Sequence, residues 1–170
     1  ALTVENCTVE GQLTAHGSST VTDSLVTSTK SPAFTVNNQN AAVKLSGSLF
    51  LFTGTPSGSG VASAVKFGAA DTVKMEGCTV QGPREGIYFS GAVREAVIDG
   101  CAIQGANKEG ISFYGLEAGN TVTVTNSLVS SEEGNAVSAS WNMDKTAVIA
   151  LGEGNTVSGR ISLPGNTDED

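Results

Sequence analysis

Two acids, Glu76 and Asp99, occupy the same place in two similar phrases, VKMEGCTVQG and AVIDGCAIQG. If these phrases lie in neighbouring layers of one sheet, their carboxylates stand about 5 Å apart. Two carboxylates at that separation can bind Ca²⁺ or act as acid and base on a sugar polymer. Lys74 and Arg94 lie close in sequence and would supply a basic group. The alternative is a set of four solvated surface charges.

A second group of acids lies in the turn before the G-I-x-F strand, at the start of the phrases EGIYFSG and EGISFYG. Glu85, Glu109 and Glu133 are predicted to align in three consecutive layers, which would form a cation site or a ridge that binds sugars. The alternative is a solvated turn in which Arg84 and Lys108 offset the repulsion between stacked acids, each exposed pair contributing little.

A third cluster is aromatic. Tyr88 is predicted to point outward because Ile87 and Phe89 point inward, and Tyr114 is predicted to point outward because it follows Phe113. Trp141 follows the equivalent strand of the next repeat. Exposed rings in neighbouring layers would form a platform on which sugar rings stack. Trp141 could instead cover a corner of the core.

The element that must position these side chains is a repeat, visible when the phrases are aligned on their cysteine. Apolar residues alternate with polar ones in each phrase, which indicates a strand with one buried face. A small or polar residue just before the aligned position predicts a bend. The aligned position is occupied by Cys7, Ser24, Ser48, Cys78, Cys101 and Ser127.

Repeats of about 24 residues with two or three short strands each predict a β-solenoid. No repeat contains a helical pattern of ten residues, and the unequal spacing breaks any strict six-residue period. The prediction is therefore an all-β, right-handed parallel β-helix of about seven coils. Residues 1–165 are predicted to form one β-helix domain, which is expected to be part of a longer chain because the repeat starts at the second residue. Residues 166–170 form an acidic tail.

The phrases V-x-[IM]-x-[GN]-[CS]-x-[VI]-x-G and G-I-x-F resemble the repeats of the pectin-lyase-like superfamily of right-handed β-helices. The resemblance runs from about Leu2 to Leu163 and implies the fold. It does not select an activity, because that superfamily includes lyases, hydrolases, esterases, epimerases, phage tailspikes and adhesins. The D-D, R-I-K, D-P-H-D and R-x-P-x-x-R signatures of its better-known enzymes do not occur in this sequence.

The composition of the chain excludes some classes of binding partner. Nine Lys and Arg against 17 Asp and Glu give a net charge of -8, which argues against nucleic acid and against anionic membrane surfaces. No apolar run is long enough for a membrane span. The three cysteines share one inward column and are interpreted as a core stack, although Cys78 and Cys101 could bond. The single His16 has no partner spaced as in a metal site.

These observations favour a non-catalytic β-helix of a bacterial or phage exterior, acting as a structural stalk, an adhesin or a glycan-binding surface. Its partner would be a polysaccharide or cell-surface glycan, and its ends could self-associate. The alternative is a polysaccharide-active enzyme, a lyase or hydrolase that uses the outward carboxylates, with calcium as a cofactor.

Overall fold

A computed structural model describes residues 1–56, 61–105, 107–140 and 142–163. The predicted acidic tail lies outside these residues. All of the regular structure in the described part is β-strand. The strands are β1 (Leu2–Glu5), β2 (Thr8–Glu10), β3 (Leu13–Ala15), β4 (Ser19–Thr22), β5 (Leu25–Ser28), β6 (Phe34–Asn37), β7 (Ala42–Ser46), β8 (Leu49–Phe52), β9 (Ser63–Glu76), β10 (Thr79–Gly82), β11 (Glu85–Phe89), β12 (Val93–Asp99), β13 (Ala102–Gly105), β14 (Ile111–Phe113), β15 (Thr121–Thr125), β16 (Leu128–Ala139), β17 (Val148–Leu151) and β18 (Thr156–Ser162).

Each strand pairs in parallel with strands of the neighbouring coils, so the chain winds as a parallel β-solenoid of about six turns. This confirms the predicted all-β solenoid, and the turn count is close to the seven coils expected. Three columns of strands run along the axis. The first is β1, β4, β7, β9, β12, β15 and β17, and the second is β2, β5, β8, β10, β13, β16 and β18. The third column consists of β3, β6, β9, β11, β14, β16 and β18.

The bend between the first two columns depends on one backbone conformation. The residue before the aligned cysteine or serine has a positive φ in each coil, a left-handed conformation that glycine, asparagine and aspartate tolerate best. The sequence meets this demand with only those three residue types. The positions and angles are Asn6 (50°), Asp23 (47°), Gly47 (55°), Gly77 (59°), Gly100 (61°) and Asn126 (50°).

The core lies along the axis, between the three columns. Met75, Ile98 and Val124 stack in successive layers and are completely buried, as predicted. Phenylalanines stack in the third column, with ring centroids 5.0 Å apart between Phe89 and each of its two neighbours, Phe67 and Phe113. Such layers bury apolar surface only against the coils above and below, so the solenoid gains its stability from stacking.

The column of cysteines and serines is also buried, with one exception. Cys78 and Cys101 are buried free thiols, which confirms the predicted stack, whereas Cys7 lies in the first layer and is exposed because only one coil covers it. Serine is suited to this column because its hydroxyl bridges two coils. Ser127 Oγ accepts the backbone N–H of Cys101 at 3.0 Å and donates to the carbonyl oxygen of Thr125 at 2.7 Å.

Within the described ranges there is no helix that could cross a membrane.

Candidate functional site

The first predicted pair, Glu76 and Asp99, lies in register on neighbouring strands β9 and β12. Their oxygens are nevertheless engaged by different groups. Glu76 Oε1 lies 2.7 Å from Lys74 Nζ. Asp99 Oδ1 accepts hydrogen bonds from Asn126 Nδ2 and Thr125 Oγ1, both at 2.8 Å. Those two bonds, helped by the charge of Lys74, lower the pKa of Asp99 below its ordinary value. The two acids therefore lie side by side, each satisfied by its own neighbours.

Arg94 does not join this pair, contrary to the cluster predicted from sequence. Its Nε donates to Asp71 Oδ1 at 2.6 Å and its Nη1 lies 3.4 Å from Glu95 Oε2. Arg94 lies five residues before Asp99 on β12, roughly 16 Å along an extended strand. Of the two basic candidates, Lys74 and Arg94, only Lys74 lies beside Glu76 and Asp99.

The second and third predicted clusters come together in one groove of about 640 Å³ on the outer face of the third column. The groove contains carboxylates from two coils, an ammonium group, two tyrosines and several hydroxyl and amide groups. Four of the six residues proposed from sequence for ligand binding line it. Its lining residues are Val61, Glu85, Tyr88, Lys108, Glu109, Ser112, Tyr114, Asn135, Ser138, Ala139, Ser140 and Ser162.

The register of the inward residues determines which acids meet in the groove. Ile87 pairs with Ile111, which places Glu85 beside Glu109, two positions earlier in each coil. Ile111 pairs with Val137, so the next residue in this line is Asn135. The prediction that Glu133 continues the line is wrong, because Glu133 stands four positions before Val137 rather than two. It is exposed to solvent.

The tyrosines do not form the exposed platform predicted from sequence. Tyr114 is 46 % exposed, but Tyr88 is only 8 % exposed. Their ring centroids are 6.3 Å apart with the planes tilted by 46°, and Lys66 Nζ lies 5.9 Å from the Tyr88 ring centroid. Tyr88 does occupy an outward position, but long side chains from the adjacent coils cover its ring. This burial raises the pKa of Tyr88 above its ordinary value. Trp141 lies outside the described residues.

The two carboxylates in the groove have different environments. Glu85 is buried, and its Oε2 accepts the backbone N–H of Ala62 at 2.8 Å, while Lys108 Nζ lies 3.9 Å from its Oε1. Glu109 is partly buried. Desolvation, and next the charge of Glu85, raise the pKa of Glu109 above its ordinary value, although Lys108 and a hydrogen bond with Ser138 act in the opposite direction.

The raised pKa of Glu109 predicts a pH dependence of stability. Below the ordinary pKa of a glutamate, Glu109 is protonated in both the folded and unfolded chain and costs nothing. As the pH rises, the unfolded chain ionises first, so stability falls until the pH exceeds the raised pKa of the folded state. Glu109→Gln should therefore melt at a higher temperature than the natural chain at neutral pH, and this difference should shrink on acidification.

Thermal unfolding across the acidic range to neutrality measures this effect. Glu117→Gln is the control, because Glu117 is an exposed acid outside the groove lining. A Glu109→Gln difference that grows on acidification would contradict the assigned environment.

Ser112 and Ser138 were not among the residues expected from sequence to bind a ligand. The signal that could have found them is the variable position of the G-I-x-F phrase, which Tyr88 occupies one coil earlier. That position drew a prediction only where it holds an aromatic residue, and Ser112 and Ser138 are small and polar. Within the described ranges, no group of three or more His, Cys, Asp or Glu residues is arranged to hold a metal ion.

Comparison with known proteins supports the architecture. A family model described as "Right handed beta helix region" matches residues 1–150. No curated protein and no solved structure matches the chain significantly.

Proposed function

We propose that this chain, which belongs to the right-handed β-helix family, is a non-catalytic extracellular module that binds a polysaccharide or cell-surface glycan. The observation that carries this proposal is the groove that brings Glu85, Glu109, Tyr88 and Tyr114 together. Its volume of about 640 Å³ lies within the range of small-molecule sites, roughly 300–1,000 Å³.

The groove offers the chemistry that sugars require. Tyr114 presents an exposed ring whose hydroxyl accepts a hydrogen bond from Asn142 Nδ2 at 2.9 Å, which fixes the ring's position. Ser112, Ser138 and Glu109 supply hydroxyl and carboxylate groups on the groove lining for hydrogen bonds to sugar hydroxyls. Because the strands beneath are hydrogen-bonded coil to coil, these groups stay at a fixed spacing and lose little freedom when a ligand binds.

The burial of Glu85 supports binding over catalysis. A carboxylate that accepts a backbone N–H and faces Lys108 is held as part of the groove wall. Because these groups engage both of its oxygens, the Glu85 carboxylate is poorly available to attack a substrate. A rigid β-helix with such a groove fits a stalk or adhesin that presents a glycan-binding surface.

Tyr114→Ala should weaken glycan binding by about tenfold or more, because aromatic anchors dominate such sites. A glycan array identifies the ligand, and titration calorimetry then measures its affinity. Leu128→Ala is the matched control, since Leu128 is also 46 % exposed and lies outside the groove lining. The proposal fails if both substitutions weaken binding equally, or if no glycan binds the natural chain.

A second candidate, a polysaccharide lyase or hydrolase, is favoured by one observation. Glu85, on β11, and Glu109, just before β14, lie side by side in adjacent coils whose backbones are about 5 Å apart, and a retaining pair needs carboxyl groups at a similar separation. The raised pKa of Glu109 is what a general acid requires. The same oligosaccharides, assayed for new chain ends with and without Ca²⁺, decide this point. Turnover that is abolished by Glu109→Gln would establish the enzyme, and binding without turnover would exclude it for those substrates.

A further inference from the structure

We infer that the glycan preferred by this groove carries protonated amino groups, as in an oligomer of glucosamine; this inference rests on the proposed function. It concerns the class of sugar and the residue that selects it. The selecting residue is Glu109, and Tyr114 provides the ring beside which the amino sugar lies.

The charges of the groove leave one carboxylate without a close cation. The lining contains Glu85, Glu109 and Lys108. Lys108 lies 3.9 Å from Glu85, and the ion pairs of Lys74, Arg94 and Lys108 do not include Glu109. Glu109 interacts electrostatically with Lys108, and its side-chain hydrogen-bond partner is the neutral hydroxyl of Ser138.

Two further cations lie at the margins of this region. Lys66 sits over the ring of Tyr88, with its Nζ 5.9 Å from the centroid. Arg160 is exposed and pairs in register with Asn135, two strands from Glu109 and so roughly 10 Å away. The carboxylate of Glu109 is therefore the main site of negative charge in the groove, in a chain whose net charge is -8.

A partly desolvated carboxylate favours a cationic ligand. An ammonium group beside Glu109 would replace the water that the carboxylate has lost and form a charge-assisted hydrogen bond, a stronger type than bonds between neutral groups. An oligomer carries several ammonium groups, and a second one would meet Tyr114 further along the groove, where the ring attracts positive charge. A uronate sugar would instead place a third carboxylate beside Glu85 and Glu109 and be repelled.

The test compares three oligosaccharides of equal length: glucosamine, N-acetylglucosamine and galacturonate oligomers. Calorimetry is done with the natural chain at a mildly acidic pH, where the amines are protonated. We expect the glucosamine oligomer to bind about tenfold more tightly than its acetylated form, and the galacturonate oligomer to bind most weakly. Added salt should weaken only the first complex substantially.

Glu109→Gln should reduce the tenfold preference to about twofold or less, while Glu117→Gln should preserve it. If Glu109→Gln does not fold, the salt dependence of the natural chain still decides the matter. Tighter Tyr114-dependent binding of the neutral or acidic oligomer, or a glucosamine affinity insensitive to salt, overturns this inference and leaves the proposed function standing. Binding of no glycan at all removes the proposed function as well.

Discussion

Ile98→Ala should lower the free energy of unfolding by about 2–5 kcal/mol, because it removes buried methyl groups and leaves a cavity. Ile98 is completely buried in β12, between Met75 in the coil before and Val124 in the coil after. Hydrogen bonds between parallel strands fix the coils on both sides, so the backbone cannot collapse to fill the space. The loss should therefore lie in the upper part of the range.

Urea denaturation followed by circular dichroism measures this loss. Val97→Ala is the control, because Val97 is the next residue on the same strand but points outward, between Lys74 and Thr123. It should cost less than about 1 kcal/mol, since surface substitutions away from special features have small effects. Equal losses for the two variants would mean that the inward and outward faces of β12 have been assigned incorrectly.

The inward residues could be predicted from the sequence because burial imposes the same demand on every coil. Met75, Ile98 and Val124 are apolar at one aligned position since each must contact the coils above and below. The bend is similarly constrained, because a positive φ restricts the residue before the aligned position to Gly, Asn or Asp. Both demands repeat along the axis and therefore leave a periodic signal.

The outward residues lack such a periodic signal, and the incorrect predictions concern these residues. Tyr88 was expected to be exposed because alternation gives the direction of a side chain. Alternation does not give the size of the neighbours that cover it, here Tyr114 and Lys66. Glu133 was placed beside Glu109 from its position within a turn, although the register of the strand is set by Val137.

Convergence of the acids and tyrosines in one groove could not be predicted either. Glu85 and Tyr88 lie three residues apart on β11, so alternation alone assigns them to opposite faces of the strand. Glu85 nevertheless lines the outer groove, because it stands at the corner where the chain leaves β10 and enters β11, and its carboxylate reaches the backbone of Ala62. Strand periodicity gives no information on side-chain direction at such a corner.

Removing the carboxylate of Glu85 should produce the second large effect. Glu85→Ala should lower the free energy of unfolding by about 1–3 kcal/mol, because the buried N–H of Ala62 loses its acceptor. Loss of the ion pair with Lys108 should add little, since the Lys108 side chain is 40 % exposed and water replaces its partner.

Glu85→Gln separates the two roles of this side chain. The amide keeps an oxygen that can accept the Ala62 N–H and has nearly the same volume, so its cost should be below about 1 kcal/mol. Denaturant unfolding of both variants at neutral pH provides the comparison. If Glu85→Gln costs as much as Glu85→Ala, the negative charge itself stabilises the corner and Lys108 matters more than its exposure suggests. If Glu85→Gln leaves the free energy of unfolding nearly unchanged, Glu85 stabilises the corner through its hydrogen bond with Ala62. Glu109 then provides the negative charge that a ligand in the groove contacts.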